Sequence, residues 1–347
     1  MKTTQQSKKL KKFVKRPSEL RQDLVSLDWI AIATGRAKRP HAFAARQTFV
    51  HDDTETCPFD NLEKSGNEKP TLVYGKGKKN WSLLAVPNKY PAFTDGHSSC
   101  PISVPVGPHN VMEGVGFHEV FILKDHFRNL AELPTVRVRE LLHAYRERYL
   151  SLKDKSCVNF ISIFHNHGRE AGASLTHPHS QLIALPIIPP DVRRSLEGSE
   201  RYYLGEKKCV HCVMLAYELK TKSRVVFENS CAVVVAPYAS HAAFELRVFP
   251  KSHQPHFETM SAKEEQCAAE ALKVALWKLF KGLGNPSYNY FLHTAPTKSH
   301  QYDHYHWHIE VVPKTQVWAG FEIGTGIEIS TIAPENAAKF LRSIGDR

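Results

Sequence analysis

Apolar residues in this chain fall into two spacings, and the two alternate twice in the same order. FILKDH (121–126) is a short apolar run ending in Lys-x-His and predicts a strand. VRVRELLHAYRERYLSL (136–152) places apolar residues at three- and four-residue intervals, as a helix with one buried face requires. VNFISIF (158–164) predicts another strand, with a loop from His165 to His177-Pro178-His179. The second part of the chain repeats this order. FELRVFPKSH (244–253) predicts a strand ending at His253, and AKEEQCAAEALKVALWKLFKGLG (262–284) a helix stopped by Gly284. YNYFLHT (288–294) predicts a strand, and the series closes on His306-Trp307-His308.

The spacings agree too. His126 to His177 is 51 residues, and His253 to His306 is 53. Each part has Cys-x-x-Cys or Cys-x-x-Asp upstream, and ends in His-x-His followed two residues later by Gln181 or Glu310. Agreement at four points in order predicts one α+β unit used twice, with antiparallel sheets and packed helices. The expected divisions are a basic tail at 1–17, a first half at 18–195 and a second at 196–347.

Composition changes this picture little. The chain has 347 residues, is 42% hydrophobic and 23% charged, and suits a globular protein of two domain-sized units. No apolar run approaches the roughly 18 residues that span a bilayer, and the basic N-terminus lacks the apolar core of a secretory signal. These features predict a cytoplasmic protein without a membrane partner. Of the net charge of +11, seven charges sit in the tail (Lys2, Lys8, Lys9, Lys11, Lys12, Lys15 and Arg16); removing seven from 11 leaves +4 for the rest. A nucleic-acid partner is therefore not expected. Seven cysteines without a secretory signal argue for thiols rather than a disulfide framework. Cys209-Val-His-Cys212 has the spacing of half a zinc site, and Cys57-Pro-Phe-Asp60 resembles it with one thiol replaced. Cys100, Cys157, Cys231 and Cys267 lack motif context and are expected to pack.

HNHGREAGASLTHPHSQ (165–181) concentrates the chemistry. On a strand, His177, His179 and Gln181 would share one face, with Pro178 at an edge or a strand entry. Small residues upstream permit close approach of a ligand to the backbone. Imidazole is a competent nucleophile toward phosphorus near neutral pH, and a nearby glutamine can donate to a phosphoryl oxygen where charge accumulates. The same His-x-His would also suit a metal site.

RAKRP (36–40), CPF (57–59), NKYPAF (88–93), GFHEV (116–120), AGASLTHPHSQ (171–181), PKSH (250–253), YHWHIEVVP (305–313) and GFEIGTG (320–326) together resemble the galactose-1-phosphate uridylyltransferase family. That family includes plant-type ADP-glucose phosphorylases and lies within the histidine-triad-like superfamily. The resemblance implies two histidine-triad-like halves and two-step nucleotidyl transfer between a nucleotide sugar and a hexose 1-phosphate or phosphate. It casts His179 as nucleophile and Gln181 as its partner at the phosphate. Arg36, Arg39, Asn88, Asn166, Ser174 and Glu322 would bind substrate, and the enzyme would be a homodimer. Lys89 departs from the acidic residue of well-known uridylyl enzymes, and GFEIGTG leans toward the adenylyl branch. Uridylyl transfer from UDP-glucose nevertheless leads on breadth of family, with ADP-glucose phosphorolysis as the alternative. A non-catalytic zinc-stabilised nucleotide-binding module would need neither His179 nor Gln181.

The repeat and the resemblance also place structural zinc, one or two ions per chain. Cys209, Cys212, His253 and His306 form one set. Cys57, Asp60, His126 and His177 form the other, in which Asp60 is either a ligand or solvated. His308 matches His179, but Glu310 stands where Gln181 does, so a structural or substrate-facing role is expected there. His293 fits either a metal or a plain strand position.

Overall fold

The computed structural model describes residues 18–36, 51–76, 80–95, 100–298 and 302–346. The basic tail and Arg39 lie outside the described residues. The chain opens with strands β1 (Glu19–Gln22), β2 (Trp29–Ile32), β3 (Leu72–Lys76), β4 (Asn80–Pro87), β5 (Val104–Val106), β6 (His109–Val111) and β7 (Phe117–Leu123). Helix α1 (Thr135–Leu152) leads to β8 (Phe160–His167), β9 (His179–Leu185), and helices α2 (Pro190–Glu206) and α3 (Val210–Thr221). Strands β10 (Val225–Glu228), β11 (Ala232–Val235) and β12 (Leu246–Pro250) precede α4 (Ala262–Leu283), β13 (Tyr288–His293) and β14 (His308–Pro313). The chain closes with α5 (Gly320–Thr325), β15 (Ile329–Ser330) and α6 (Pro334–Arg342).

The fold is α+β and the duplication is visible in its sheet. Ten strands run in the order β10-β11-β12-β14-β13-β8-β9-β7-β4-β3. Every neighbouring pair is antiparallel. Each half supplies five strands in matching order, and the halves join where β8 pairs with β13, Asn166 opposite Asn289. The proposed division at 195/196 lies within α2, the helix that carries the chain from one half to the other.

Helices α1 and α4 lie together against one face of this sheet, where their apolar stripes and the inward strand residues form the main core. Tyr145, Tyr149, Leu141 and Leu142 of α1 are buried there, as are Leu272, Leu276 and Leu279 of α4. Sequence dictates both ends of α4. Ser261 accepts a hydrogen bond from the Glu264 N–H while Glu264 reaches back to the Ser261 N–H, and Gly284 closes the helix at φ 74°. Among the described residues, no helix is long and apolar enough to cross a membrane.

Two sequence expectations change. Strand β8 runs on through His167, so the loop begins at Gly168 rather than at His165; Tyr288, Asn289 and Tyr290 of β13 pair with His167, Asn166 and His165 and extend the ladder. Cys100 and Cys157, expected to pack as thiols, form a disulfide. They are 57 residues apart, and no local spacing marks such a pair. Cys231 and Cys267 remain thiols, each in contact with the Ser230 hydroxyl.

Candidate active site and metal centres

The four histidines of residues 165–179 divide among three environments. Ser180, Leu182 and Ala184 of β9 point into the helix-covered core. Strand alternation therefore turns His179 and Gln181 to the opposite face. His165 and His167 join the core side. His165 touches the Ser180 hydroxyl at 3.0 Å and stacks on Tyr290, whose hydroxyl meets that of Tyr145 in α1. His167 accompanies Tyr288 and contacts Asn285 Oδ1 at 2.9 Å. Burial pushes the pKa of His165 far down and that of His167 to about 4, so both are neutral structural residues.

His179 is itself 8% exposed. Its Nδ1–H donates to the His177 carbonyl at 2.8 Å. That bond fixes the tautomer and leaves a lone pair on Nε2. Burial, only partly opposed by that hydrogen bond, lowers its pKa and keeps the ring neutral. Phe59 meets the ring at a centroid distance of 5.1 Å. Gln181 lies two residues along the strand, opposite Phe164 of β8. Continuing that register one step brings Asn166 beside His179. Asn289 Nδ2 donates to Asn166 Oδ1 and to the Ala171 carbonyl, both at 2.8 Å, tying the residue to the loop that follows it. That loop contains Gly172, at φ 85°, and the exposed Ser174. Asp52 grips its end through Thr176, whose N–H donates to the carboxylate at 2.6 Å.

Asn88 follows β4, and its N–H donates to the His118 carbonyl at 2.7 Å. Lys89 donates to the Ser65 carbonyl. Arg36 belongs to a short helical turn, Thr34–Arg36. Glu322 stands apart from this group: it is half-buried on α5, and its carboxylate accepts the Ala319 N–H at 3.0 Å. Asn289 and Asp52 escaped the sequence reading, and Phe59 and His118 had no role assigned within CPF and GFHEV, because each joins the site through partners distant in the chain.

Pro178 sits at strand entry, where its carbonyl accepts the Leu123 N–H and no ladder donor is needed. His177, just before β9, therefore turns into a different cluster from His179 and Gln181. There His177 Nε2–H donates to Leu123 O at 2.6 Å, and His126 Nε2–H donates to Asp52 O at 2.8 Å. Both Nδ1 atoms are thus left with lone pairs, and they lie 3.1 Å apart. Asp60 Oδ2 is 2.5 Å from His126 Nδ1, and Cys57 Sγ is 3.4 Å from His177 Nδ1. Acceptors crowded in this way repel one another unless a cation lies among them, so the donor set fits a metal ion. In the second half, Cys209 caps α3 and Cys212 follows one turn later. Cys212 Sγ lies 3.3 Å from His253 Nδ1 and 3.5 Å from His306 Nδ1. Each set of four has all its ligand atoms within 4.8 Å of one another.

His308 reproduces the tautomer of His179, with Nδ1–H donated to the His306 carbonyl at 3.1 Å. Its surroundings differ. Phe249 and His293 stack on it at 4.7 and 4.5 Å. Glu310 lies 3.1 Å from Arg247 Nε, and that guanidinium holds its carboxyl well below the usual range despite burial. His308, His293, Glu310 and Arg247 line a cavity of about 420 Å³ with His241 and Glu328. Burial disfavours protonated His241, but the Glu328 contact and the Glu245 and Glu310 carboxylates outweigh it and raise the pKa to about 9. A raised histidine stabilises the fold fully below its unfolded value, about 6.5, and loses that contribution as pH climbs through about 9. Urea unfolding should accordingly show wild type exceeding His241→Gln at pH 6, with the gap shrinking toward pH 9. A gap that widens with pH would contradict the charged pair.

A model described as galactose-1-phosphate uridyl transferase, N-terminal domain, matches residues 18–189, and one for a domain of unknown function matches 141–343. ADP-glucose phosphorylase of Arabidopsis thaliana is 34% identical over 330 residues, covering 94% of this chain and 93% of that protein. Galactose-1-phosphate uridylyltransferase of Thermotoga maritima is 28% identical over 335 residues, covering 93% and 98%. The crystal structure of an A. thaliana ADP-glucose phosphorylase with bound ADP-glucose aligns with a TM-score of 0.80 at 32% identity, covering 95% of this chain and all of that one.

Proposed function

Because this chain belongs to the galactose-1-phosphate uridylyltransferase family of nucleotidyltransferases, we propose that it works through a nucleotidyl intermediate on His179. The observation that carries the reading is the His179 Nδ1–H bond to the His177 carbonyl, which presents the Nε2 lone pair on the sheet face shared with Gln181. In the first step Nε2 bonds to the α-phosphorus of a nucleotide sugar. The α–β phosphoanhydride P–O bond breaks, and its electron pair leaves with the hexose 1-phosphate. In the second, an acceptor phosphate oxygen attacks the same phosphorus and the P–N bond breaks. Gln181 donates to the phosphoryl oxygen that gathers charge, and Asn166 and Ser174 place the other oxygens. Asn88 meets the nucleoside. Arg36 and Arg39 bind substrate phosphate, with Glu322 assigned to the sugar of a partner's site in a homodimer.

We take ADP-glucose as donor and inorganic phosphate as acceptor, ahead of UDP-glucose and hexose 1-phosphate. What supports this order is the 34% identity to an ADP-glucose phosphorylase and the lysine at position 89. The order of the two sequence readings is thereby reversed. Incubation with ADP-glucose or UDP-glucose alone, followed by intact mass measurement, tests it. The chain should gain an adenylyl group from ADP-glucose and release it to phosphate as ADP. Labelling by UDP-glucose alone would reverse the base assignment, and labelling by neither would remove the reading.

Both Cys/His clusters are assigned to structural zinc. Four protein ligands leave no position open for substrate, so the ions hold His177 and His306 at the entries of β9 and β14 and take no chemical step. Asp60 is treated as a ligand because its carboxylate faces two imidazole lone pairs. Asp60→Cys should tighten zinc binding and raise the melting temperature without raising turnover, as thiolate is the softer partner. Asp60→Ala should reduce zinc from two ions to one per chain. Two ions retained in Asp60→Ala, with unchanged melting, would return Asp60 to the solvated class.

A further inference from the structure

His118, on β7, lies in the GFHEV motif, which assigned it no role, yet it touches both Asn88 and Gln181. Its ring makes three polar contacts. The Ala92 N–H donates to Nδ1 at 3.1 Å, Gln181 Oε1 lies 2.8 Å from Nε2, and Asn88 Nδ2 lies 3.0 Å from Nε2. The ring is partly buried, and burial lowers its pKa, so it is neutral and carries one proton. Where that proton sits follows from the partners. A backbone N–H is a donor that cannot be turned around, so Nδ1 must accept and Nε2 must carry the hydrogen. Nε2–H then donates to Gln181 Oε1. The opposite tautomer would set Nδ1–H against the Ala92 N–H and leave the Gln181 oxygen facing a lone pair. It would gain only the contact from Asn88, whose own Oδ1 is committed to the Tyr90 N–H at 2.9 Å.

We infer that His118 is a positioning residue for nucleotidyl transfer: held as its Nε2–H tautomer by the Ala92 amide, it fixes the carbonyl end of the Gln181 side chain. This directs the Gln181 amide nitrogen toward the phosphoryl group on His179. An unrestrained glutamine amide can present oxygen or nitrogen at similar cost, and an oxygen aimed at a phosphoryl oxygen repels it. His118 removes that ambiguity. It also links the two ends of the substrate site, because the segment that holds it, residues 88–92, is the one assigned to the nucleoside. The Asn88 N–H closes the same link through the His118 carbonyl. A correctly seated nucleoside would thus steady the group that stabilises charge at the α-phosphorus. The reaction in which this matters is the one proposed above, and the inference rests on that reading.

Two measurements test it. Nitrogen-15 NMR of histidine-labelled wild type, with the His118 signal identified by its loss in His118→Ala, should show hydrogen on Nε2. Hydrogen on Nδ1 would overturn the inference whatever the activity. The second is a double-mutant cycle on the rate of adduct formation from ADP-glucose and from UDP-glucose, with their dissociation constants measured alongside. His118→Ala should slow adduct formation about 10- to 100-fold, as loss of an outer support does, and leave affinity within about threefold. In a Gln181→Ala background the same change should cost almost nothing further. Full multiplication of the two losses, or a loss confined to affinity, would show that His118 does not act through Gln181. If wild type forms no adduct with either sugar nucleotide while Nε2–H is observed, the transfer reading fails and the hydrogen-bond assignment stands.

Discussion

His179→Ala is expected to abolish the covalent adduct and to lower transfer by about 10⁴-fold or more, the scale seen when a nucleophile is removed. The melting temperature should change little. The His179 ring faces away from the helix-covered core, and its side chain is tied to the protein through the carbonyl of His177. The wild-type adduct should be labile in acid and stable in alkali, as phosphoramidates are. An adduct of unchanged mass and yield in His179→Ala would transfer the nucleophilic role to another residue and dismantle the mechanism.

The second large effect concerns stability. Replacing Cys212 with alanine should release the second-half zinc and cost more than about 4 kcal/mol, since loss of a structural metal is among the few single changes of that size. The reason lies in the contacts. Cys212 meets both His253 and His306, which come from the ends of β12 and β14, so one thiolate connects a helix to two strand termini. Metal analysis should find one ion fewer per chain and calorimetry a lower transition. Chelator treatment of wild type should destabilise the fold before it slows single-turnover chemistry, because neither ion touches the reacting phosphorus in this scheme. Unaltered zinc content in Cys212→Ala would remove the four-ligand assignment.

Much of this architecture was legible in the sequence because both helices beside the sheet carry a clean stripe and both halves repeat it. The match between VRVRELLHAYRERYLSL and α1, and between AKEEQCAAEALKVALWKLFKGLG and α4, rests on local periodicity and on the Gly284 stop. The His-x-His pairs were legible as chemistry but not as geometry. Alternation predicts that His177 shares a face with His179 only if both lie within a strand, and the strand begins at His179. His165 and His167 read as part of a histidine-rich loop, whereas their pairing with β13 turns them into core residues. That pairing is set by Tyr288 and Tyr290, more than 120 positions downstream in the chain. His118, Asn289 and the Cys100–Cys157 disulfide share the same difficulty. Each acquires its role from a partner brought near by sheet order, and sheet order is not encoded in any short window. The three-stranded sheet of β1, β2 and β15 is a further case, joining the two ends of the described chain with β15 parallel to β2.

The β8–β13 pairing has a consequence for counting molecules. Two identical subunits joined at such a seam would be obliged to carry the same residues on both sides, and so two reactive imidazoles. A covalent fusion lifts that symmetry. Here one copy retains Gln181, while the other has placed Glu310 against Arg247 and stacked His308 between Phe249 and His293. Labelling should therefore saturate at one nucleotide per polypeptide, and a homodimer should hold two, not four. Rapid-quench measurement with excess donor would register that stoichiometry as an initial burst equal to the chain concentration.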